Sequence, residues 1–428
     1  MKSSIAFILL SVALLFALPF LLSQGLTNVA IQMLIAALFA CAYNLLCGQA
    51  GMLSFGHAAY FGVGAFATVH AMNAIGGTGL LPVPLLPLVG AASGLAIGAF
   101  AGWFVTKRSG TYFAMITLAI AELFHSLAPH LAGLFGGEAG ISAMRAPAWG
   151  LDFGSTTQVY YLTLTWVLIS LALLYLYTLT PAGRLTLGLR ENSHRLRFLG
   201  YNVHGLGVLV FAISAMFSGI AGGLQVLSNE AANYAVFDPS LSAAVVINTF
   251  IGGVKLFLGP ALGAVLMTFF SYAASDLTQS WLLYQGVLFV LIMMFMPTGL
   301  AGLFGASSKL RRDFGIAPLL PVALLSLCSA LLLSAGGVFI VEMVQRTLSR
   351  DYRAMVDLHA VVPWPPIALF GRAWLPDSAI TWLTPFTLLA IGSVLACLMR
   401  RRMRSLEKGK AEPLATQTSP ASMERSIA

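Results

Sequence analysis

Charge is what this chain has least of. Of its 428 residues only 9% are Asp, Glu, Lys or Arg, while 58% are hydrophobic. A soluble globular protein carries about 25% charged residues, so a water-soluble fold is excluded and a membrane is the solvent to reason with. Cysteine is nearly as scarce. Cys41, Cys47, Cys328 and Cys397 fall within or at the ends of apolar runs, with no CxxC or Cys/His ligand spacing, so neither a disulfide framework nor a metal site is expected. Catalytic and nucleotide signatures are missing too: there is no GxxxxGK[ST] phosphate loop, no HExxH, no GxSxG and no dinucleotide fingerprint after a strand. The seven histidines are scattered. No enzyme and no cofactor is expected, and any energy source is external to the chain or an ion gradient.

What remains is a succession of long apolar runs. Spanning the roughly 30 Å hydrocarbon core takes about 20 apolar residues in a helix, and runs of that kind recur throughout. They show no alternation of polar and apolar residues, which excludes a membrane barrel. The expected fold is all-α, a polytopic helical bundle of about 10–12 spans: 5–22, 29–47, 52–73, 83–105, 111–132, 158–179, 206–228, 241–257, 259–276, 281–303, 316–341 and 379–399. The pair 241–257 and 259–276 could instead be re-entrant, and the first span a cleaved signal peptide. With a cytoplasmic Met1, all but five of the 23 Lys and Arg fall inside, as the positive-inside rule requires. Arg145, Arg346, Arg350, Arg353 and Arg372 are the five outside. The formal charge of +8 therefore marks short inner loops near membrane lipid, not nucleic acid. Three regions are expected: a transmembrane core at 1–310, an appendage at 311–400 with two spans around an outer loop, and a cytoplasmic disordered tail at 401–428.

Residues 44–68, NLLCGQAGMLSFGHAAYFGVGAFAT, are the least ordinary stretch. An apolar helix stops at Gly48, a polar cluster of Gln49, Ser54 and His57 follows, and small residues recur at Ser54, Ala58 and Gly62. Glycine-loosened backbone at membrane depth is tolerated where it is buried in protein or lines a watery cavity, and small residues at i, i+4 admit a neighbouring helix. Asn44, Gln49, Ser54 and His57 are therefore candidates for a pathway or gate, against the alternative of a tight turn with Gln49 and His57 at an interface. Glu122 joins the candidates. A carboxylate in mid-span costs about 2.5–3.5 kcal/mol on insertion scales, and His125, one turn on, is the expected partner. Gly90, Gly94, Gly98 and Gly102 recur every fourth residue on one helix face, a pattern that reads as a packing ridge.

The segment 181–205, PAGRLTLGLRENSHRLRFLGYNVHG, mixes Arg184, Arg190, Glu191, Arg195 and Arg197 with leucines and Phe198. It reads as a short amphipathic helix, suited to the lipid surface or to a groove on a soluble partner.

Taken together, several blocks resemble the membrane permease subunits of ABC importers for branched-chain amino acids, a family that also contains urea and short-amide permeases. They are NLLCGQAGMLSFGHAAYFGVGAF at 44–66, GTYFAMITLAIAEL at 110–123, GRLTLGLRENSHRLRFLGYNV at 183–203, GGVKLFLGPALGA at 252–264 and MPTGLAGLF at 296–304. The resemblance implies a second, homologous permease, two cytoplasmic ATPase subunits and a periplasmic binding protein as partners, and an inner-membrane location. It also implies that Arg184, Arg190, Glu191, Arg195 and Gly200 lie where such permeases present a coupling helix to the ATPase. Two departures stand out. The family's outer-loop pattern, near TGGxxG, is here Gly136-Gly137-Glu138-Ala139-Gly140, and the appendage has no counterpart in the family core. The rival readings are a urea or amide permease of the same class and a proton-coupled secondary transporter using Glu122 and His125 as a relay.

Overall fold

The computed structural model describes residues 2–75, 81–296, 298–303, 312, 314–315, 317–358 and 364–417. It is an all-α helical bundle. Among the described residues, seven helices are long and apolar enough to cross a membrane: Gln24–Gln49, Val83–Val105, Thr111–His130, Thr156–Leu179, Val203–Asn229, Leu319–Leu348 and Ala379–Leu406. Shorter apolar helices lie at Val12–Leu21, Pro239–Gly252, Gly259–Ser275 and Trp281–Phe295. At 1.5 Å per residue the 14-residue and 17-residue helices of the Pro239–Ser275 region reach only about 21 and 25 Å. Neither would cross the hydrocarbon core upright.

The chain divides into two compact units, one of residues 1–274 and 285–303, the other of residues 275–284 and 304–428. In the first unit α1 (Lys2–Leu21), α2 (Gln24–Asn44), α3 (His57–Ile75), α4 (Pro87–Val105) and α5 (Thr111–Leu127) are followed by the one-turn α6 (Ala132–Phe135). Then come α7 (Thr156–Leu179), α8 (Pro181–Phe198), α9 (Val203–Asn229), α10 (Pro239–Gly252), α11 (Gly259–Ser275) and α12 (Trp281–Phe295), the last two crossing the unit boundary. Polar side chains start these helices. Ser23, Ser155, Thr180, Asn202 and Asp238 each accept a backbone N–H of the first turn of α2, α7, α8, α9 and α10. Pro181 and Pro239 stand at the first helical position, where a missing N–H costs nothing.

Buried helix α9 packs against α2, α3, α4 and α8. Its contact with α4 runs along the glycine ridge: a Cβ at Gly90 would stand 2.5 Å from the Gly219 carbonyl, at Gly94 2.5 Å from the Ala215 carbonyl, and at Gly98 2.3 Å from Ala215 Cβ. Gly102 faces the Phe211 ring. Against α3 the approach is as tight, with Gly222 held against the Phe61 carbonyl and Gly64 against Gly219. Tyr160 and Tyr161 of α7 donate to the Leu15 and Phe16 carbonyls, tying down α1.

The loop at Gly136–Gly140 turns through left-handed backbone at Gly136, Gly137 and Gly140 (φ +72°, +64° and +76°). It leads to a two-residue ribbon, β1 (Ile141–Ser142) with β2 (Ala231–Ala232). Arg145 latches this ribbon to the end of α9, pairing with Glu230 at 3.3 Å and donating to the Leu227 carbonyl at 2.7 Å.

In the second unit α13 (Leu319–Leu348) pairs with α15 (Ala379–Gln417), joined by α14 (Arg350–Leu358) and the hairpin β3 (Ile367–Leu369) with β4 (Arg372–Trp374). Phe339, Met343, Tyr352, Ile367 and Leu369 form its small core. Where the sequence reading expects a disordered tail from residue 401, α15 remains helical to Gln417. Residues 418–428, with Pro297 and Phe304 of the 296–304 block, lie outside the described residues.

Candidate functional site

The break between α2 and α3 is built in three steps. First, α2 loosens into a π-helical turn over Leu45–Gln49, a form that recurs at functional positions. Gly48 is obligatory here, since a Cβ would meet Asn44 Oδ1 at 2.1 Å and the Val254 carbonyl at 2.7 Å. Second, the chain reverses through Gly51 in left-handed backbone, φ +71°. Third, Phe55 and Gly56 run under α5: the Phe55 N–H donates to Thr117 Oγ1 at 3.1 Å, and the Thr117 carbonyl would lie 1.9 Å from a Cβ on Gly56.

Helix α3 then opens on His57, which is fully buried, as is Ser54. Ser54 Oγ lies 3.0 Å from His57 Nδ1, and Ser214 Oγ of α9 lies 2.8 Å from Nε2. The Ser214 hydroxyl donates to the Ala42 carbonyl at 2.6 Å. With its proton committed there, Ser214 accepts from Nε2–H, and Nδ1 accepts from the Ser54 hydroxyl. A neutral imidazole satisfies every partner. Tyr43, Tyr60 and Phe211 surround the ring edge-on at 5.2, 5.6 and 5.8 Å. In this conformation Ser54 and His57 clamp α2, α3 and α9 together, and they are not exposed to an open passage.

Asn44 and Gln49 sit at the same break with different standing. Asn44 is 5% exposed, and both Asn44 Oδ1 and Gln49 Oε1 are buried without a hydrogen-bond partner among the described residues. Unpaired buried acceptors are uncommon, and these two flank the π-turn.

The amphipathic segment reaches the same place through one residue, Arg190. Helix α8 is two helices in series, interrupted at Asn192 (φ −162°, ψ 93°), whose Oδ1 accepts the Arg195 N–H and restarts the helix. Arg184, Glu191, Arg195 and Gly200 are exposed, and Phe198 is 92% exposed. Arg190 instead reaches back. Its Nη1 donates to the Gly48 carbonyl at 2.6 Å, and its stem packs against Gly51.

Glu122 is not part of this cluster. It lies exposed on the outer face of α5, and among the described residues no ion pair joins it to His125. The expectation of a buried, paired carboxyl is therefore corrected. The His125 ring approaches Tyr234 instead, at 5.9 Å. Two partners escaped the sequence reading, Thr117 and Ser214. The only signal for the latter was the Ser214–Ser218 pair at i, i+4 in an apolar helix.

Comparison with known proteins places these features. Residues 25–297 match the family described as branched-chain amino acid transport system / permease component. The chain is 28% identical over 320 residues to the high-affinity branched-chain amino acid transport system permease protein LivM of Salmonella typhimurium, covering 69% of this chain and 74% of the relative. It is 24% identical over 298 residues to LivH of Escherichia coli, covering 62% of this chain and 91% of that protein. A weaker likeness, 26% over 247 residues, reaches the xylose transport system permease protein XylH of E. coli, with 44% of this chain and 63% of the relative covered. No solved structure matches significantly.

Proposed function

This chain belongs to the family of branched-chain amino acid transport system permease components, and from that premise we propose that it is the permease subunit of an ATP-driven importer in the bacterial inner membrane. Its cargo is a branched-chain or other small apolar amino acid. Two cytoplasmic ATPase subunits, a second homologous permease and a periplasmic binding protein complete the assembly. The observation that carries the reading is the Arg190–Gly48 hydrogen bond. It joins the amphipathic helix suited to an ATPase groove directly to the π-turn that precedes the Ser54–His57 clamp. Displacement of α8 by a closing ATPase pair would pull on the one place where α2 is already loosened, a rigid-body input delivered to a two-state element.

The second permease has a natural seat. Tyr112, Met115, Ala119, Glu122 and Ser126 are all exposed along α5 at alternating spacings of three and four, the seam geometry of packed helices. A carboxylate in that seam favours a protein neighbour over lipid. The same exposure weakens the proton-relay reading, because Glu122 and His125 are not paired.

Co-purification in mild detergent tests this assignment. Stoichiometric ATPases with a phosphate loop and a second permease are expected; recovery of the chain alone after gentle crosslinking would overturn it. The urea or amide alternative is settled by uptake competition in the reconstituted complex.

A further inference from the structure

A cavity of about 230 Å³ opens among α2, α3, α9, α10, α11 and α12, entirely within the first unit. None of Asn44, Gln49, Ser54, His57 and Glu122 lines it. One wall is apolar, formed by Ile35, Phe39, Phe61 and Met267. The polar positions are the hydroxyls of Thr268 and Ser271 on α11 and four amides brought from four other helices, Gln32, Gln225, Asn248 and Gln285. No Asp, Glu, Lys, Arg or His lines the space.

Asn248 is the informative residue. It is 9% exposed, and its Oδ1 is buried without a hydrogen-bond partner among the described residues. Its backbone is fixed by close helix contact, since a Cβ on Gly263 of α11 would stand 2.1 Å from the Asn248 carbonyl. An unpaired buried amide held this rigidly is an acceptor waiting for a donor.

We infer that this cavity is a solute-holding site within the permease itself, built for a small zwitterion with an aliphatic side chain. The inference rests on the importer reading above. Carboxamides both donate and accept, so four of them can answer an ammonium and a carboxylate together. The absence of a charged wall suits a ligand whose own charges cancel and disfavours an ion of net charge. The apolar wall takes an aliphatic side chain and gives a sugar nothing to bond. The volume falls below the roughly 300–1,000 Å³ of drug-sized pockets, as a ligand of few heavy atoms requires. Phe61 stands one turn beyond His57 on α3, so the cavity wall belongs to the helix whose first turn the clamp holds.

The test uses the complete co-purified transporter in proteoliposomes, with radiolabelled L-leucine as probe. Equilibrium binding to the complex without its binding protein is read beside ATP-driven uptake. Asn248→Leu is expected to weaken leucine binding about tenfold or more, the loss expected for a hydrogen bond to a charged group, while Asn248→Gln restores part of it. Ala36→Phe, which fills the space from α2 and leaves the Asn248 side chain in the sequence, is expected to abolish binding and to guard against misfolding of the first variant. Assembly yield is measured for all three. Wild-type uptake with unchanged binding in both Asn248→Leu and Ala36→Phe overturns the site and leaves the importer reading standing. Absence of any neutral amino-acid uptake by the wild-type complex removes the importer reading, and this site with it.

Discussion

The two units solve the same solvent problem differently. In the first, 78% of the most apolar stretch of α2 and 67% of that of α9 are buried within the protein; in the second, the figures are 17% for α13 and 11% for α15. The difference follows the polar residues. Helices α2, α3, α9 and α10 carry Asn44, His57, Ser214 and Asn248, all buried, and polar groups are costly against lipid. They must be enclosed, and enclosure at backbone distance takes glycine. Helices α13 and α15 present mostly leucine and valine outward, which lipid accepts, and their buried Ser329, Glu342 and Thr381 find partners within the same unit. The larger part of the second unit, residues 304–428, also lies beyond the family match, which ends at residue 297.

The largest test of this contrast is steric. Gly222→Val would press a side chain into the Phe61 carbonyl, 1.9 Å from the Cβ position, whereas Gly337 of α13 has nothing within 4 Å. The first change is expected to cost upwards of about 3 kcal/mol and to eliminate monodisperse protein in detergent chromatography. Gly337→Ala should leave yield and thermal midpoint unchanged or slightly raised. Equal behaviour of the two variants would break the distinction.

Next comes Glu342, a buried carboxylate of the second unit. Glu342 is 4% exposed and accepts from the hydroxyls of Thr278 and Tyr284 while pairing with Arg346 at 3.3 Å. Glu342→Leu leaves those donors unanswered and is expected to lower stability by about 1–3 kcal/mol, read as a lowered thermal midpoint. Binding of L-leucine to the complex should not change, because every residue of the cavity lies in the other unit.

Coupling should be confined to the first unit as well. Glu191→Lys is expected to lower solute moved per ATP several-fold with assembly intact, whereas charge reversal at exposed Asp377 leaves the ratio alone. Wild-type transport in Glu191→Lys would count against the docking role of α8.

The smallest effect concerns Asp238 at the start of α10. The Ser240 N–H at 2.7 Å, with the Ser240 hydroxyl and His125 as lesser causes, holds its carboxyl below the ordinary value of 3.8. A depressed folded-state pKa gives stability that is present above the unfolded value and is lost as pH falls through the folded one. Acid below about pH 4 should therefore loosen the start of α10 in the wild type, and Asp238→Asn, which keeps the cap, should flatten that dependence in hydrogen exchange.

Much of this architecture is legible in the sequence because apolar length is a direct reading of bilayer thickness. The break at Gly48, the glycine spacing on α4 and the amphipathic character of 181–198 are local patterns, so they too can be read along the chain. Asn248 and its three companion amides are not local. They sit singly on four helices, from Gln32 to Gln285, and only tertiary packing gathers them. The exposure of Glu122 is hidden for a related reason: a carboxylate in an apolar run looks buried until the spacing of its exposed neighbours is traced round the helix. The extension of α15 past Arg400 is masked by charge density, which suggests disorder along the sequence although Arg, Met, Leu, Glu and Lys are all good helix formers.

The Arg190 bond has a genetic consequence. Its acceptor is a main-chain carbonyl, so no side-chain replacement at position 48 can delete it, and Gly48 tolerates none in any case. Alleles that remove this contact while leaving the turn intact should therefore accumulate at codon 190, and revertants should restore a long cationic donor there instead of arising across the junction.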